Sequence, residues 1–480
     1  MLATVRRASH YCPMRAEPQV SPYRPDPQIA SLAPWLGDQV EAAPFPRLDL
    51  RWRNQRWAGA VGLDRLSEAE WLAHLGRFAP LPGNLPQPLA LRYHGHQFRH
   101  YNPEIGDGRG FLFAQLRDGH GRLLDLATKG SGQTPWSRQG DGRLTLKGAV
   151  REILATEMLE ALGVNTSKTF SVIETGEALW RGDEPSPTRS AVLVRLSHGH
   201  IRIGTFQRLA TLRLAEEMAQ LVDYCLTTFP GPLPPEDALG RDQAAVVLLH
   251  QVVARMADLA ASYMVAGFVH GVLNSDNMNV SGESFDYGPW RWLPAWDTGF
   301  TAAYFDHSGL YAFGRQPEAI HWNCGQLAVS LRLLVEAPPL IAALERFGPL
   351  YEAALARRFL WRLGVGSRGQ QADTALVAAS EQQMSTAGQS PEAFFFTHRG
   401  GRAAPEGAFG AILGDYVGSR GLDDDFWQRR APPSLVSEEV ERIWAAIAEH
   451  DDWSALEAVV AEMRALGNAL GEPPSVQGIA

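Results

Sequence analysis

The sequence predicts an α+β protein of two lobes, in which a β-rich unit precedes a helical unit. Turn signals and short apolar runs cluster between about residues 105 and 205. After residue 206 the apolar residues recur instead at spacings of three and four, which is the helical period. With 45% apolar and 20% charged residues among 480, the chain can bury a sizeable core. Separate β-rich and helical runs are typical of the α+β class.

The first fifty residues are proline-rich and only weakly periodic, so they predict an irregular arm laid over a core. Prolines at 18, 22, 25 and 27 oppose helix formation there. The expected parts of the chain are an N-terminal arm (1–95), a β-rich N-lobe (96–205), a helical C-lobe that carries the catalytic loop (206–350) and a C-terminal helical extension (351–480).

Local signals predict the elements of the N-terminal half. Ser67 and Glu70 resemble a capping box that opens a helix running to about residue 78. The turn 118–121 joins two strands of a hairpin, and Gly163 supplies the left-handed cap of a helix. The expected strands span 111–117, 122–129, 170–174 and 191–196, and the expected helix spans 144–162.

The helical pattern of the C-terminal half predicts four long segments. They span 208–227, 243–266, 322–354 and 436–466. A β-rich lobe followed by a helical lobe is the bilobal plan of a kinase-like fold, although that order alone is a weak signal.

Charge and cysteine content restrict the partners and the compartment. The 44 basic and 53 acidic residues give a net charge of −9, which argues against nucleic acid as a partner but leaves room for a locally basic nucleotide pocket. Cys12, Cys225 and Cys324 share no ligand spacing and predict a reducing compartment. The uncharged stretch 259–275 is too short and polar to span a bilayer. Arg6, Arg7 and Arg15 hint at a transit peptide, and because no apolar region follows them a secretory signal is not expected. We expect a soluble, cytoplasmic protein without a membrane partner.

The strongest chemical signal lies between residues 270 and 288. His270 and Asn277 stand seven apart, as in a kinase catalytic loop, and Asp286-Tyr287-Gly288 follows like the metal-binding D-F-G motif. The position of the catalytic Asp, however, is Val272, which neither accepts a proton nor binds a metal. Either catalysis has been lost, or another base acts, and Asp276 is the nearby carboxylate on this loop. The alternative is a polar turn with no catalytic role.

The upstream lobe carries the groups that such a loop requires. Lys129 ends the predicted hairpin, where a kinase places its phosphate-binding Lys, and Glu152 lies early in the next helix, where it could pair with that Lys. Gly106-Asp107-Gly108-Arg109 is similar to a phosphate loop. Arg195 and Arg202 exceed what a kinase cradle needs, which indicates an unusual placement of the phosphates.

Together these motifs resemble the selenoprotein O family, kinase-like proteins that act as protein adenylyltransferases. The resemblance covers about residues 90–330. It rests on Tyr93-His94-Gly95-His96-Gln97-Phe98, Gly106-Asp107-Gly108-Arg109, the stretches 129–138 and 140–143, Arg151-Glu152, Arg195 with Arg202, the stretches 270–278 and 286–289, Tyr311-Ala312-Phe313 and Gln316-Pro317.

The resemblance implies a bilobal protein-kinase-like fold in which ATP lies inverted, with the α-phosphate facing the acceptor. Asp276 would be the base, Glu152 would orient Lys129, and Asn277 with Asp286 would hold Mg²⁺ or Mn²⁺. The implied ATP-binding residues are Gly106, Gly108, Arg109, Lys129, Asp141, Gly142, Arg195, Arg202 and Asp286. AMP would then pass from ATP to Ser, Thr or Tyr hydroxyls of protein substrates, with release of diphosphate.

Two alternatives remain beside the transferase interpretation. One is a kinase-type phosphotransferase, which Val272 and the surplus arginines disfavour. The other is a non-catalytic pseudokinase scaffold that only binds nucleotide. The chain also departs from many relatives because no cysteine follows Cys324, so a redox role of the C-terminal tail is not expected.

Overall fold

The computed structural model describes residues 19–474 apart from positions 183, 403–405, 417, 419–421 and 423. It has the predicted bilobal α+β architecture, with an antiparallel sheet in the N-terminal half and a helical C-terminal half. Cys12 and the arginines at 6, 7 and 15 lie outside the described residues. Cys225 and Cys324 are buried free thiols, and burial raises the pKa of both.

The strands of the described chain form one large sheet and two small hairpins. They are β1 (Gly37–Gln39), β2 (Asp49–Arg53), β3 (Leu89–Leu91), β4 (Gly95–Gln97), β5 (His100–Asn102), β6 (Leu112–Arg117), β7 (Leu123–Lys129), β8 (Leu144–Thr145), β9 (Lys168–Leu179), β10 (Thr188–Ser197), β11 (Phe268–Val269) and β12 (Arg291–Trp292). The large sheet has the order β1-β3-β6-β7-β10-β9-β2, with β8 beside β10. The pairs β4–β5 and β11–β12 stand apart from it.

The predicted hairpin is confirmed as β6 and β7. Asp118 closes its turn, since its Oδ1 accepts from the backbone N–H groups of His120 and Arg122. The strands β9 and β10 are longer than predicted because polar residues continue them. Lys168, for example, is 2% exposed at the start of β9, where its ammonium donates to the Thr166 carbonyl oxygen at 2.8 Å.

Residues 19–95, predicted to form an irregular arm, supply three strands to the large sheet. Strands β1 and β3 add to one edge through β6, and β2 adds to the opposite edge beside β9. These strands are only three to five residues long, and β1 reads Gly-Asp-Gln, so a stretch this short gives a weak strand signal even where β2 alternates polar and apolar residues. The capping box of Ser67 and Glu70 is confirmed, but its helix ends at Leu75.

The α-helices follow in chain order. They are α1 (Ala33–Leu36), α2 (Gln55–Ala60), α3 (Glu68–Leu75), α4 (Leu146–Ala161), α5 (Ile203–Thr211), α6 (Ala215–Thr228), α7 (Ala244–Ala266), α8 (Gln316–Leu331), α9 (Ala337–Glu345), α10 (Phe347–Leu363), α11 (Gln370–Ala387), α12 (Pro391–His398), α13 (Ala408–Gly414), α14 (Ser437–His450) and α15 (Ser454–Leu470).

Three of the long helices predicted from the sequence are wrong as single elements. The segment 208–227 divides into α5 and α6 at Arg213, whose φ is +56°. The segment 322–354 divides into α8, α9 and α10, with prolines in the first turn of α9. The segment 436–466 divides at Asp451, whose φ is +52°. Left-handed residues other than glycine leave no composition signal, so the apolar period continues across them.

The core of the C-terminal half is built around α7. This helix is long and apolar enough to cross a membrane by length and composition, yet 83% of its most apolar window is buried inside the protein. It packs against α6, α8, α9 and α10, as the core helix of a soluble protein does. Gly267, with φ of +63°, ends it in the left-handed conformation.

Helix α4 carries Glu152 and joins the sheet to the C-terminal helices. The structure confirms it at Leu146–Ala161, and it packs on β9 and β10 with one face. Its other face meets α14 and α15, where Arg464 Nη2 lies 2.7 Å from Oε1 of Glu157. Because it is covered on both faces, the helix holds Glu152 at a fixed depth behind the sheet.

Candidate active site

A cavity of about 690 Å³ opens where the glycine-rich loops face the catalytic loop. Its volume suits a nucleotide-sized ligand. Every ATP-binding residue implied by the resemblance lines it, and so does Asp276, whereas Glu152 and Asn277 do not. The lining residues are Tyr93, Gln97, Ile105, Gly106, Asp107, Gly108, Arg109, Gly110, Thr128, Lys129, Trp136, Ser137, Arg138, Gln139, Gly140, Asp141, Gly142, Arg143, Arg181, Arg195, Arg202, Asp276 and Asp286.

The cavity is locally basic in an acidic protein. Seven Lys and Arg side chains line it against four carboxylates, an excess of three positive charges. The whole chain carries −9. An inward-facing surplus of cations with low-dielectric walls concentrates anionic ligands such as a triphosphate.

A buried ion triad lies at the base of the cavity, which we call its floor. Lys129 and Arg195 line this floor, and Glu152 pairs with both of them from behind. Lys129 Nζ lies 2.7 Å from Glu152 Oε2, and Arg195 Nη2 lies 2.5 Å from Glu152 Oε1. All three side chains are at most 6% exposed. Burial lowers the pKa of Lys129. Burial alone would raise the pKa of Glu152, but the charges of Arg195 and Lys129 outweigh burial and lower it. The Glu152 carboxylate therefore stabilises the charge of both Lys129 and Arg195 and holds the two cations side by side in the cavity lining.

We expect Glu152→Gln to destabilise the protein, because it removes the nearest counter-charge of two buried cations. Removing one partner of a buried ion pair costs about 3–5 kcal/mol. Thermal and denaturant unfolding measure the loss. As a control, Glu318 is 57% exposed and pairs with Arg99 at the surface, so Glu318→Gln should cost at most about 1 kcal/mol. Equal losses in the two variants would contradict the triad.

The Asp286 carboxylate lies against the two cations of this triad. Its Oδ1 lies 3.6 Å from both Lys129 Nζ and Arg195 Nη2, and Arg202 Nη1 donates to its Oδ2 at 2.9 Å. Burial opposes the effect, but Arg202, Lys129 and Arg195 hold the pKa of Asp286 well below its usual range. Its φ of +62° is costly for a residue with a Cβ, a kind of strain that clusters at functional sites.

Arg202 connects Asp286 to the loop that carries Asp276 and to Asp107, whose role the sequence did not indicate. Its Nη1 donates to the Asp276 carbonyl oxygen at 2.7 Å, and its Nη2 lies 3.2 Å from Asp107 Oδ1. Its guanidinium also stacks 4.5 Å from the Tyr93 ring centroid. Both Asp107 and Tyr93 stand inside motifs noted in the sequence, but an Asp within a glycine-rich loop gives no sign that it supports an arginine.

Asp276 is the carboxylate best placed to accept a proton. It lies in a 3₁₀ turn, Ser275–Asn277, and is 8% exposed. Burial raises its pKa to about 6, and its buried Oδ1 has no hydrogen-bond partner. A carboxylate with a raised pKa is a stronger base near neutral pH. Val272, at the position of the kinase Asp, does not line the cavity.

Gly106 and Gly108 leave space for Trp136, which forms part of the cavity wall. A Cβ on Gly106 would approach the Trp136 ring to 2.6 Å, and one on Gly108 would approach the Trp136 carbonyl oxygen to 2.9 Å. Trp136 is held in turn by Asp38, whose Oδ2 accepts from the indole N–H at 3.0 Å. The sequence predicted backbone approach to an anion, whereas the packing of Trp136 already requires the small residues.

The mouth of the cavity carries an ion pair that the sequence did not predict. Arg181 donates to both Asp141 carboxylate oxygens, at 2.8 and 3.1 Å, and lines the cavity itself. The pKa of Asp141 is lowered; burial opposes this, and the hydrogen bond from Arg181 is the largest favourable cause. Arg181 lies in a connection between two strands, where nothing in the local pattern marks it.

The donor set fits a hard divalent cation shared with a phosphate ligand. Within the described residues no group of three or more His, Cys, Asp or Glu could hold a metal alone. Asp286 offers carboxylate oxygens to the cavity, and Asn277 is next to Asp276, with its Nδ2 donating to the Val272 carbonyl oxygen at 3.0 Å. Mg²⁺ is commonly bound by one or two protein groups plus substrate phosphates.

Comparisons with known proteins identify the family of the chain. The family model for protein adenylyltransferase SelO matches residues 21–401. Three relatives carry the name protein nucleotidyltransferase YdiU. That of Synechococcus elongatus is 41% identical over 93% of this chain and 96% of its own. The relative from Gloeobacter violaceus is 42% identical over 92% of this chain and 94% of its own length. The relative from Pseudomonas aeruginosa is 37% identical over 70% of this chain and 67% of its own length. The chain belongs to the SelO family of protein adenylyltransferases.

Proposed function

We propose that this protein transfers AMP from ATP to Ser, Thr or Tyr hydroxyls of other proteins and releases diphosphate. The observation that carries the proposal is the pairing of a buried cationic floor with a separate carboxylate. Lys129, Arg195 and Arg202 surround Asp286, while Oδ1 of Asp276 stays without a partner. A cationic floor suits the phosphates that leave, and a carboxylate in the cavity lining that still has hydrogen-bonding capacity suits a hydroxyl that attacks.

ATP would bind with its terminal phosphates on the cationic floor. Arg195 and Arg202 would hold these phosphates together with Lys129, which Glu152 orients. Gly106, Gly108 and Arg109 would line the path of the chain. Asp141 and Gly142 would meet the nucleoside near the mouth, so the α-phosphate would face Asp276. This orientation is the reverse of that in a kinase, where the γ-phosphate meets the acceptor.

The transfer step needs one base and one leaving group. The carboxylate of Asp276 takes the proton of the acceptor hydroxyl, and the hydroxyl oxygen forms a bond to the α-phosphorus. The bond between the α-phosphorus and its bridging oxygen breaks, and diphosphate leaves with that electron pair. The cations around Asp286 stabilise the negative charge that develops on the leaving oxygens.

Asn277 and Asp286 would hold the divalent cation, Mg²⁺ or Mn²⁺. Such a cation supplies Lewis-acid neutralisation of the phosphate oxygens when bound. Arg202 already anchors the turn that carries both Asp276 and Asn277 through the Asp276 carbonyl oxygen. The chain itself therefore fixes the distance between the base and the floor.

The proposed function also includes the substrates, the excluded partners and the cellular compartment. The substrates are ATP and protein hydroxyls, without nucleic acid or membrane, and the protein acts in the cytoplasm. The division into an arm (1–95), an N-lobe (96–205), a C-lobe (206–350) and a C-terminal extension (351–480) is part of the same proposal.

The small products of the reaction test this function. The protein is incubated with ATP, a divalent cation and a heat-inactivated protein extract, and the soluble products are separated by ion-exchange chromatography. Diphosphate that forms in step with modified protein is expected. ADP formed in its place would indicate a kinase, and the absence of both would indicate a scaffold that only binds nucleotide.

A further inference from the structure

The small hairpin β4–β5 packs directly on the turn that carries Asp276. The backbone N–H of His96 donates to Ser275 Oγ at 2.7 Å. The backbone N–H of Phe98 donates to Asn274 Oδ1 at 3.0 Å. These backbone contacts fix the position of the turn relative to the hairpin without involving the side chain of the residue between them.

That intervening residue, Gln97, directs its amide at the base. Its Nε2 donates to Oδ2 of Asp276 at 3.4 Å, and Gln97 lines the cavity. Catalytic hydrogen bonds are often long before the substrates bind and shorten in the reacting complex. Gln97 is therefore in direct contact with the group that we propose to accept the proton.

The orientation of the Gln97 amide is set by a chain of donors. Asn102, on β5, donates from its Nδ2 to Gln97 Oε1 at 3.1 Å. Oδ1 of Asn102 accepts in turn from the backbone N–H of Glu104 at 2.9 Å. Since a backbone N–H can only donate, this chain determines that the NH₂ group of Gln97 faces Asp276.

The two oxygens of Asp276 thus have different environments. Oδ2 accepts from Gln97, whereas the buried Oδ1 has no partner. Gly95 makes room on the Oδ1 side, because a Cβ there would lie 3.0 Å from Oδ1. A carboxylate held at one oxygen has its other oxygen in a defined direction, which is what an oriented base requires.

We propose that Gln97 is a positioning residue of the transfer reaction, which holds Oδ2 of Asp276 and so fixes the orientation of the carboxylate that receives the proton of the acceptor hydroxyl. This inference rests on the proposed function. Asn102 supports Gln97 from behind, and the hairpin acts through the carboxylate of Asp276 instead of through the nucleotide.

A positioning role and a merely structural role predict different kinetics. If the turn moved, the Asp276 carbonyl oxygen would withdraw from Arg202, and nucleotide binding would weaken. If only the carboxylate lost its orientation, the turnover number would fall while ATP affinity stayed constant. The ratio of the effects on kcat and on ATP binding therefore separates the two roles.

The test uses Gln97→Met, which keeps the length of the side chain and removes the donor. We expect kcat for AMP transfer to fall about tenfold, as for the loss of one hydrogen bond to a charged group. The KM for ATP and the calorimetric Kd of a non-hydrolysable ATP analogue should change less than twofold. The control is His100→Ala, an exposed residue that faces Gln97 across the hairpin and should leave kcat unchanged.

A double-mutant cycle closes the test. In an Asp276→Asn background Gln97→Met should change the residual rate less than twofold, because Gln97 acts only through that carboxylate. Equal losses in both backgrounds, a wild-type rate in Gln97→Met, or a parallel loss of ATP affinity would each overturn the role of Gln97. Wild-type protein that transfers no AMP would overturn the proposed function itself, so the two failures are distinguishable.

Discussion

Asp276→Asn should lower the rate of AMP transfer by about 10²- to 10⁴-fold, the range that a general base contributes. The amide has the shape of the carboxylate but cannot accept the proton of the hydroxyl. The Arg202 contact is to the backbone carbonyl of residue 276 and is retained, so ATP affinity should stay within about twofold. Single-turnover transfer and calorimetric titration with a non-hydrolysable ATP analogue measure the two quantities.

The control for this prediction is Asp297→Asn. Asp297 is exposed and accepts from the backbone N–H of Gly299, a contact that an asparagine oxygen can also make. This variant should transfer AMP at the wild-type rate. If Asp276→Asn also retained the wild-type rate, another group would be the base, and our assignment of Asp276 would be wrong.

Asp286→Ala should abolish metal-dependent transfer, because the variant lacks the carboxylate that faces the phosphates. Loss of Lewis-acid stabilisation worth several kcal/mol corresponds to a rate reduction of about a thousandfold. The variant should still bind ATP, since removing a negative charge leaves Lys129, Arg195 and Arg202 free to meet the triphosphate.

The two effects of Asp286→Ala are measured separately. ATP affinity without divalent cation should equal or exceed that of the wild type, whereas added Mg²⁺ or Mn²⁺ should no longer stimulate transfer. Asp286→Asn, which keeps one oxygen, is expected to respond weakly to the cation. Full activity of Asp286→Ala would contradict the metal assignment.

Most of the fold could be predicted from local patterns, and several of the wrong predictions fall where local patterns carry no signal. The hairpin β6–β7 and helix α4 carry turn and cap residues that act over a few positions, so the sequence predicts both. Arg213 and Asp451 break long helices in a left-handed conformation that residues other than glycine adopt uncommonly, so the residue type does not mark the break. The short strand β1 is recruited to the sheet by pairing with β3, a non-local contact that its own residues do not indicate.

The candidate site was predictable to the extent that its residues fall in spaced motifs. Lys129, Glu152 and Asp286 come together as the spacing indicated. Asp107 and Arg181 were missed because each acts by supporting another charged residue across the cavity, which sequence spacing does not encode. The role of Asn277 as a metal ligand stays a prediction, since this residue does not line the cavity.

The most direct test of the central claim follows the two ends of the triphosphate. The protein is incubated with a divalent cation, a heat-inactivated protein extract and ATP labelled at either the α- or the γ-phosphate. The acceptor proteins are then separated and their label counted, with Asp276→Asn in parallel. We predict protein-bound label from the α position only, and its loss in the variant. Label that reaches protein only from the γ position would contradict the account.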